Sequence, residues 1–312
     1  QRQTLSQVKD PGPYHQRRQP AGEDDGFPAT GTLPTFHLLG CCHELKQIPG
    51  SDETMRSILL ATLVVFAGPA LGAQNSQTFD HSIFDGLLRD HVSAEGLVDY
   101  DAFAGSSDFH RYLDTLADAQ PATLKEAEGL VLWINAHNAS TIQLINRHGE
   151  RESIRNINKT LGLFSGRGPW KERLAKIGGK VWTLDEIEHE IIRKRFSEPR
   201  IHFALVCAAL GCPPVRREAY SGEELGAQLD DQAKMFLTER PSKNRVDTAE
   251  GVVHLSRIFD WYQDDFPSGS EGLGRFLAQY HLPGPEKELV ECGRFDVKYT
   301  DYDWSLNGNG GN

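Results

Sequence analysis

The sequence predicts an α+β fold, a single helix-rich domain with a small mixed or antiparallel sheet. Three observations lead there. Stretches with a helical apolar period outnumber stretches that alternate. The alternating stretches are scattered among the helices without a regular βαβ rhythm, which argues against a doubly wound sheet. Once a candidate leader is set aside, roughly 240 residues remain, enough for one domain with its own core.

The leader starts at Met55 and reads MRSILLATLVVFAGPALGAQ, with one basic residue, an apolar stretch over 58–67 and a small-residue exit at Ala70, Gly72 and Ala73. That is the pattern of a secretory signal peptide. The apolar stretch is shorter than the roughly 20 residues a spanning helix needs. The expected organisation is therefore residues 1–54 disordered or not natively translated, 55–73 a signal peptide and 74–312 one globular domain. Cleavage near Ala73 would make the mature chain periplasmic or secreted. LLGC at 38–41 has the look of a lipoprotein box, but no long apolar segment precedes it.

Within the domain, DHSIFDGLLRDHV puts Ile83, Phe84, Leu87 and Leu88 on one helical stripe behind an Asp. GLVDYDAF reads as a turn and a short extended piece, and SDFHRYLDTLADA as a second amphipathic helix closed by Pro121. TLKEAEGLVLWINAHNASTIQLINRHG keeps Leu130, Ile134, Thr141, Ile142 and Ile145 in helical register and predicts the longest, central helix. Residues 150–180, rich in Arg, Lys and Gly, read as a surface excursion broken at SGRGPW. KVW is extended, and Thr183 with Glu186 forms a capping box that opens a helix burying Leu184, Ile187 and Ile191. Pro199 ends that helix. IHFALV over 201–206 then reads as a buried strand. Ser221 with Glu224 opens the next helix, NRVDTAEGVVHLS reads as a hairpin, Ser256 caps a short helix, GLGRFLAQYH makes another, and FDVKYTDYDWSLN ends in a strand and packed aromatics.

A net charge of −11 argues against nucleic acid as a partner, because backbone phosphates need clustered Lys and Arg. No second apolar segment approaches bilayer length, so no membrane span is expected in the mature chain. Removing the leader discards Cys41 and Cys42 and leaves Cys207, Cys212 and Cys292. In an oxidising compartment that odd count flags at least one thiol as free or paired between chains.

Six stretches in order, WINAHNASTI, LDEIEHEIIR, EPRIHFALVCAALGCPP, the acidic helix after AYSGEEL, LSRIFDWYQDDF and YDWSLN, resemble the bacterial members of the domain of unknown function 547 family. The resemblance runs from about Val98 to Asn307. It implies no defined activity. Similar plant domains sit beside leucine-zipper, DEP-like or glutaredoxin-like segments, which implies a redox or regulatory setting. His137 stands where the family more often has Tyr, so no hydroxyl can act there.

The residues themselves leave the cysteine pair open between a disulfide, a metal clip, a nucleophile with a bystander, and inert burial. On a continuing helix, residues five apart face about 140° away from each other, so a bridge requires 207–212 to be a loop. Gly211 and Pro213 permit one. A lone C-x4-C lacks the second ligand pair of a metal site. If Cys207 is a nucleophile it needs a lowered pKa or a base. Strand alternation would send His202 to the opposite face, leaving His189 as the base candidate, with Glu188 beside it. Asn135 and Asn138 share one helix face, either clamping a neighbouring loop or polarising a substrate carbonyl. Trp261, Tyr262, Tyr302 and Trp304 read as core before ligand platform. Asp264, Asp265, Asp301 and Asp303 read as caps and turn residues, since they lack calcium-loop spacing. No metal or cofactor motif is present.

The resulting expectation is thiol-dependent chemistry at Cys207, either acyl or amide transfer or thiol–disulfide exchange, acting on a small-molecule or peptide ligand. In acyl transfer, His189 or His202 would be the base, and Asn135 or Asn138 would donate to the oxyanion. The alternative is a non-catalytic binding or scaffold module stapled by a Cys207–Cys212 disulfide. Neither oligomeric state nor a cofactor can be read from the residues.

Overall fold

The computed structural model describes residues 78–158 and 168–309. The leader, the stretch ahead of it and residues 159–167 lie outside the described residues, so the readings made on them stand only as expectations. Three helices open the described chain: α1 (Ser82–His91), α2 (Tyr100–Gly105) and α3 (Ser107–Ala117). The extended piece expected at 96–103 ends early. Val98 bridges Val92, and the Asp99 carboxylate then accepts from Ala102 N at 2.9 Å. That bond caps α2, which turns Tyr100 and Phe103 inward.

The central helix α4 (Glu126–His148) is buried on every side from Gly129 to Thr141 and closes on Gly149, whose φ of 60° suits glycine. An all-round buried helix is the axis of a core rather than a surface element. β1 (Ala175–Ile177) and β2 (Lys180–Trp182) form an antiparallel hairpin, where the sequence predicts only the second of the two. The capping box that follows is reciprocal. Thr183 N donates to Glu186 Oε2 at 3.0 Å, and Glu186 N donates to Thr183 Oγ1 at 2.9 Å. The helix it opens is wide: a π-helical segment, Glu186–Ile192, runs into α5 (Arg193–Arg195), with Arg193 N bonding back five residues to Glu188 O.

The largest departure comes next. Residues 201–206 are not a strand. They form the short helix α6 (Ile201–Ala204) followed by an extended exit, with Leu205 N donating to Ile201 O at 2.8 Å. Every residue from 201 to 206 is buried, so the run presents no face for periodicity to read, and a short apolar run of this kind fits either element. After α6 come α7 (Leu225–Thr238), β3 (Arg245–Asp247), β4 (Val252–Leu255), α8 (Ile258–Trp261), α9 (Gly269–Ala278), α10 (Pro285–Glu291) and β5 (Asp296–Tyr299). β3 and β4 are the expected hairpin, and β5 adds to β4 in parallel, giving a small mixed sheet. The α+β reading holds.

Two apolar clusters form around these elements. One surrounds α4, and the other gathers Phe203, Phe236, Phe259, Phe266 and Phe276. Ile201 and Ala204 belong to the first and Phe203 to the second. Helix α6 therefore sits at their seam and carries His202 into it. Among the described residues no helix is long and apolar enough to cross a membrane.

Candidate functional site

Two side-chain amides of α4 hold the loops that carry the site. Asn135 takes both sides of one residue's backbone, donating to Tyr220 O at 2.8 Å and accepting from Tyr220 N at 3.0 Å. Asn138 does the same around α6, donating to Ala204 O at 2.9 Å and accepting from Val206 N at 3.1 Å. The peptide groups that a strand would have paired with a sheet neighbour are satisfied by Asn138 instead.

The chain then turns at Cys207. Ala208 adopts φ 57°, a left-handed conformation that costs a non-glycine residue roughly 1–2 kcal/mol. The turn is held from outside: Leu210 N donates to Ser305 O at 2.8 Å and Gly211 N to Asp303 O at 2.7 Å. Residues 207–212 are therefore a loop, as a bridge requires. The Cys207 and Cys212 sulfurs lie at disulfide distance, with 6.3 Å between their Cα atoms. The segment that pins the loop also delivers Tyr302, whose hydroxyl reaches Cys207 Sγ at 2.9 Å and Cys212 Sγ at 3.2 Å. Cys207 is partly exposed and Cys212 buried, while Cys292 is free and lies elsewhere, its thiol donating to Leu289 O.

Beside this loop lies a charged network. The Arg193 guanidinium grips Asp265 with two bonds, Nε to Oδ2 at 2.5 Å and Nη2 to Oδ1 at 2.9 Å. His202 Nε2 donates to the same Oδ2 at 2.7 Å, and Arg193 Nη1 donates to His189 Nδ1 at 2.8 Å. Burial alone would raise the Asp265 pKa, but the bonds from His202 and Arg193 outweigh it and hold the carboxyl well below the usual range. Asp265 closes a short 3-10 turn, as the sequence predicts, and is in addition the anion of the network. Spacing could not reveal it, because its partners lie 72 and 63 positions away. Burial lowers His202, whose single N–H toward Asp265 needs no charge. Burial also lowers His189, to about 4, assisted by the Arg193 cation. His189 is partly buried and stacks 6.3 Å from Tyr262.

Glu188 responds in the opposite direction. It is 5% exposed, and desolvation pushes its carboxyl up to about 7, against the pull of a Tyr262 hydrogen bond and of Arg193. A carboxyl poised near neutrality in a buried position can take or give a proton at physiological pH. Its charge in turn adds to the burial that raises the Tyr302 phenol.

The cysteine pair, Glu188 and His202 meet in a cavity of about 30 Å³. Its wall includes Glu188, His202, Cys207, Cys212 and His137, with Trp170, Trp261 and Tyr302 forming an aromatic side. Trp261 packs 4.8 Å from Tyr302, and Tyr302 packs 4.5 Å from Trp304. Of the sequence candidates, Glu188, His202 and Cys207 are brought together here. Asn135, Asn138 and His189 lie outside the wall, behind the loops and behind Tyr262. Two further lining residues come from elsewhere. The sequence marks Tyr302 only as one of a dense group of aromatics read as core, and His137 only by its departure from the family's usual Tyr. Among the described residues no group of three or more His, Cys, Asp and Glu is placed to hold a metal ion.

The fold and site together define a helix-rich α+β domain built around a cysteine pair, a buried carboxyl and an aromatic wall. Residues 121–237 match the family model described as "Protein of unknown function, DUF547". Over that segment the family resemblance read from the motifs is borne out. The matched segment contains His137, Glu188, His202 and both cysteines and stops short of Trp261, Asp265 and Tyr302. No curated protein and no solved structure matches the chain.

Proposed function

We propose that the protein is a thiol–disulfide redox protein in which Cys207 and Cys212 cycle between dithiol and disulfide. The observation that carries this reading is the position of the pair: both sulfurs, at disulfide distance, share the Tyr302 hydroxyl in the wall of a cavity that also holds Glu188. In the reducing direction an outside thiolate attacks Cys207 Sγ, the sulfur of the less buried cysteine. The Cys207–Cys212 bond breaks, and the pair of electrons leaves on Cys212. A second outside thiol resolves the mixed disulfide. Two electrons and two protons enter the pair, and the donor leaves as its disulfide. The Cys207 N–H, which donates to Cys212 Sγ at 3.0 Å, and the Tyr302 hydroxyl stabilise the leaving thiolate.

The acyl-transfer form of thiol chemistry has less support. The Asn135 and Asn138 amides donate to backbone carbonyls, and His189 Nδ1 accepts from Arg193. A second reading, a structural staple in a scaffold module, is favoured by the burial of Cys212, which is 3% exposed. The two differ under native reduction and alkylation. In the redox reading a mild dithiol opens the bond without unfolding the chain, and Cys207 then alkylates well ahead of Cys212. A bond that opens only in denaturant assigns the staple.

Export is part of the proposal, on the Met55 leader alone. N-terminal sequencing of protein recovered from outside the cytoplasm should begin near Ala73 or Gln74, and a chain retaining Met55 contradicts cleavage.

A further inference from the structure

The cavity beside the cysteines bears on what oxidises them. It offers about 30 Å³, where a single water needs about 10–15 Å³. Its inner end takes a molecule of one or two oxygen atoms whole, whereas a peptide or an organic disulfide could place only its tip there. Two of its walls carry buried polar atoms with no hydrogen-bond partner in the protein, His137 Nε2 and Trp261 Nε1. His137 is 2% exposed. Its Nδ1 lies 3.4 Å from Asn138 Oδ1, an acceptor already engaged by Val206 N. Nδ1 therefore carries the proton, and Nε2 presents a lone pair. The indole Nε1 is a donor only. Leaving both unmatched in a buried site is unfavourable, and a small molecule that both donates and accepts would satisfy them together.

We infer that the oxidant of the Cys207–Cys212 couple is a small hydroperoxide, hydrogen peroxide in the first instance, bound between His137, Trp261 and Tyr302. This rests on the redox reading and adds its substrate class. Glu188 takes the Cys207 thiol proton. The thiolate attacks one peroxide oxygen, an S–O bond forms and the O–O bond breaks. The departing hydroxide takes the proton from Glu188 and leaves as water, so that Cys207 becomes a sulfenic acid. Cys212 then attacks Cys207 Sγ. The S–O bond breaks, the hydroxyl leaves with the Cys212 proton as a second water, and the disulfide forms. Two thiols lose two electrons, and one peroxide gains them.

The test uses the reduced chain and its own Cys292 as the internal reference. Hydrogen peroxide should oxidise Cys207 roughly 100-fold or more faster than Cys292, because an activated thiol in a binding site outpaces an ordinary one. Cumene hydroperoxide, whose aryl body exceeds the inner end of the cavity, should lose most of that advantage. In Cys212→Ser the sulfenic acid should accumulate on Cys207 and be trapped by dimedone. Glu188→Gln, nearly isosteric, should slow the peroxide step roughly tenfold or more near pH 7. Equal rates at Cys207 and Cys292 overturn the inference, as does an equal response to the bulky peroxide. If a mild dithiol still opens the pair natively, such a result leaves the redox reading standing. If the pair opens only in denaturant, both fall.

Discussion

Glu188 is the residue on which the site's pH behaviour turns. Burial raises its carboxyl from an ordinary value to about 7, so the folded state holds a proton that the unfolded chain releases. Its stabilising contribution is complete below the unfolded pKa and is lost as pH rises toward 7. Glu188→Gln should therefore gain on the wild type between about pH 5 and about pH 8, by up to roughly 3 kcal/mol. Parallel urea-denaturation profiles for the two chains would contradict a buried, raised carboxyl. Cys207 and Cys212 show what spacing can say at this scale. A loop was required for bridging, and a loop is present. What spacing could not say is that a tyrosine 95 positions from Cys207 would bond both sulfurs, because such a contact is made by the fold alone.

At the scale of elements, legibility followed the locality of the signal. The Thr183–Glu186 capping box closes within four residues, and it formed as read. The hairpin of β3 and β4 was legible from alternation around its turn. Residues 201–206 give no periodicity from which to tell helix from strand, because they are buried on all sides. Their backbone is committed to Asn138, which lies 66 and 68 positions away from its two partners. Asn138→Ala should then leave the Ala204 carbonyl and the Val206 N–H unsatisfied, costing roughly 2–4 kcal/mol. A change in urea midpoint at constant m-value would register it, and a loss under 0.5 kcal/mol or so would contradict the clamp. Gly211 is a second test. An added Cβ would lie 2.8 Å from the Tyr302 ring and 2.9 Å from Asp303 N, so Gly211→Ala must displace the segment that carries Tyr302. Overpacking of this kind costs roughly 1–3 kcal/mol, and the difference in alkylation rate between Cys207 and Cys212 should shrink with it. An unchanged midpoint and an unchanged rate ratio would mean that the segment does not depend on that close approach.

For the whole molecule, the α+β class was legible because it depends on counting helical and alternating stretches. The seam between the two apolar clusters was not, because Ile201, Phe203 and Ala204 belong to different clusters while adjacent in sequence. Acid stability is a property of the same scale. His81, His137 and His189 are all lowered to about 4, chiefly by burial. Their contribution is present above the unfolded histidine value and is lost as pH falls toward 4, opposite in sign to that of Glu188. The thermal midpoint should drop between about pH 6.5 and about pH 4, and a flat profile over that range would show the histidines to be solvated. The central claim is that Cys207 and Cys212 form a working redox couple, and an equilibrium titration of the native protein in dithiol–disulfide buffers, read by mass spectrometry after alkylation, tests it most directly. The account predicts reversible interconversion with a midpoint between about −120 and about −270 mV, the span of dithiol oxidoreductases. A pair that stays bridged below about −300 mV, as structural disulfides do, would contradict it.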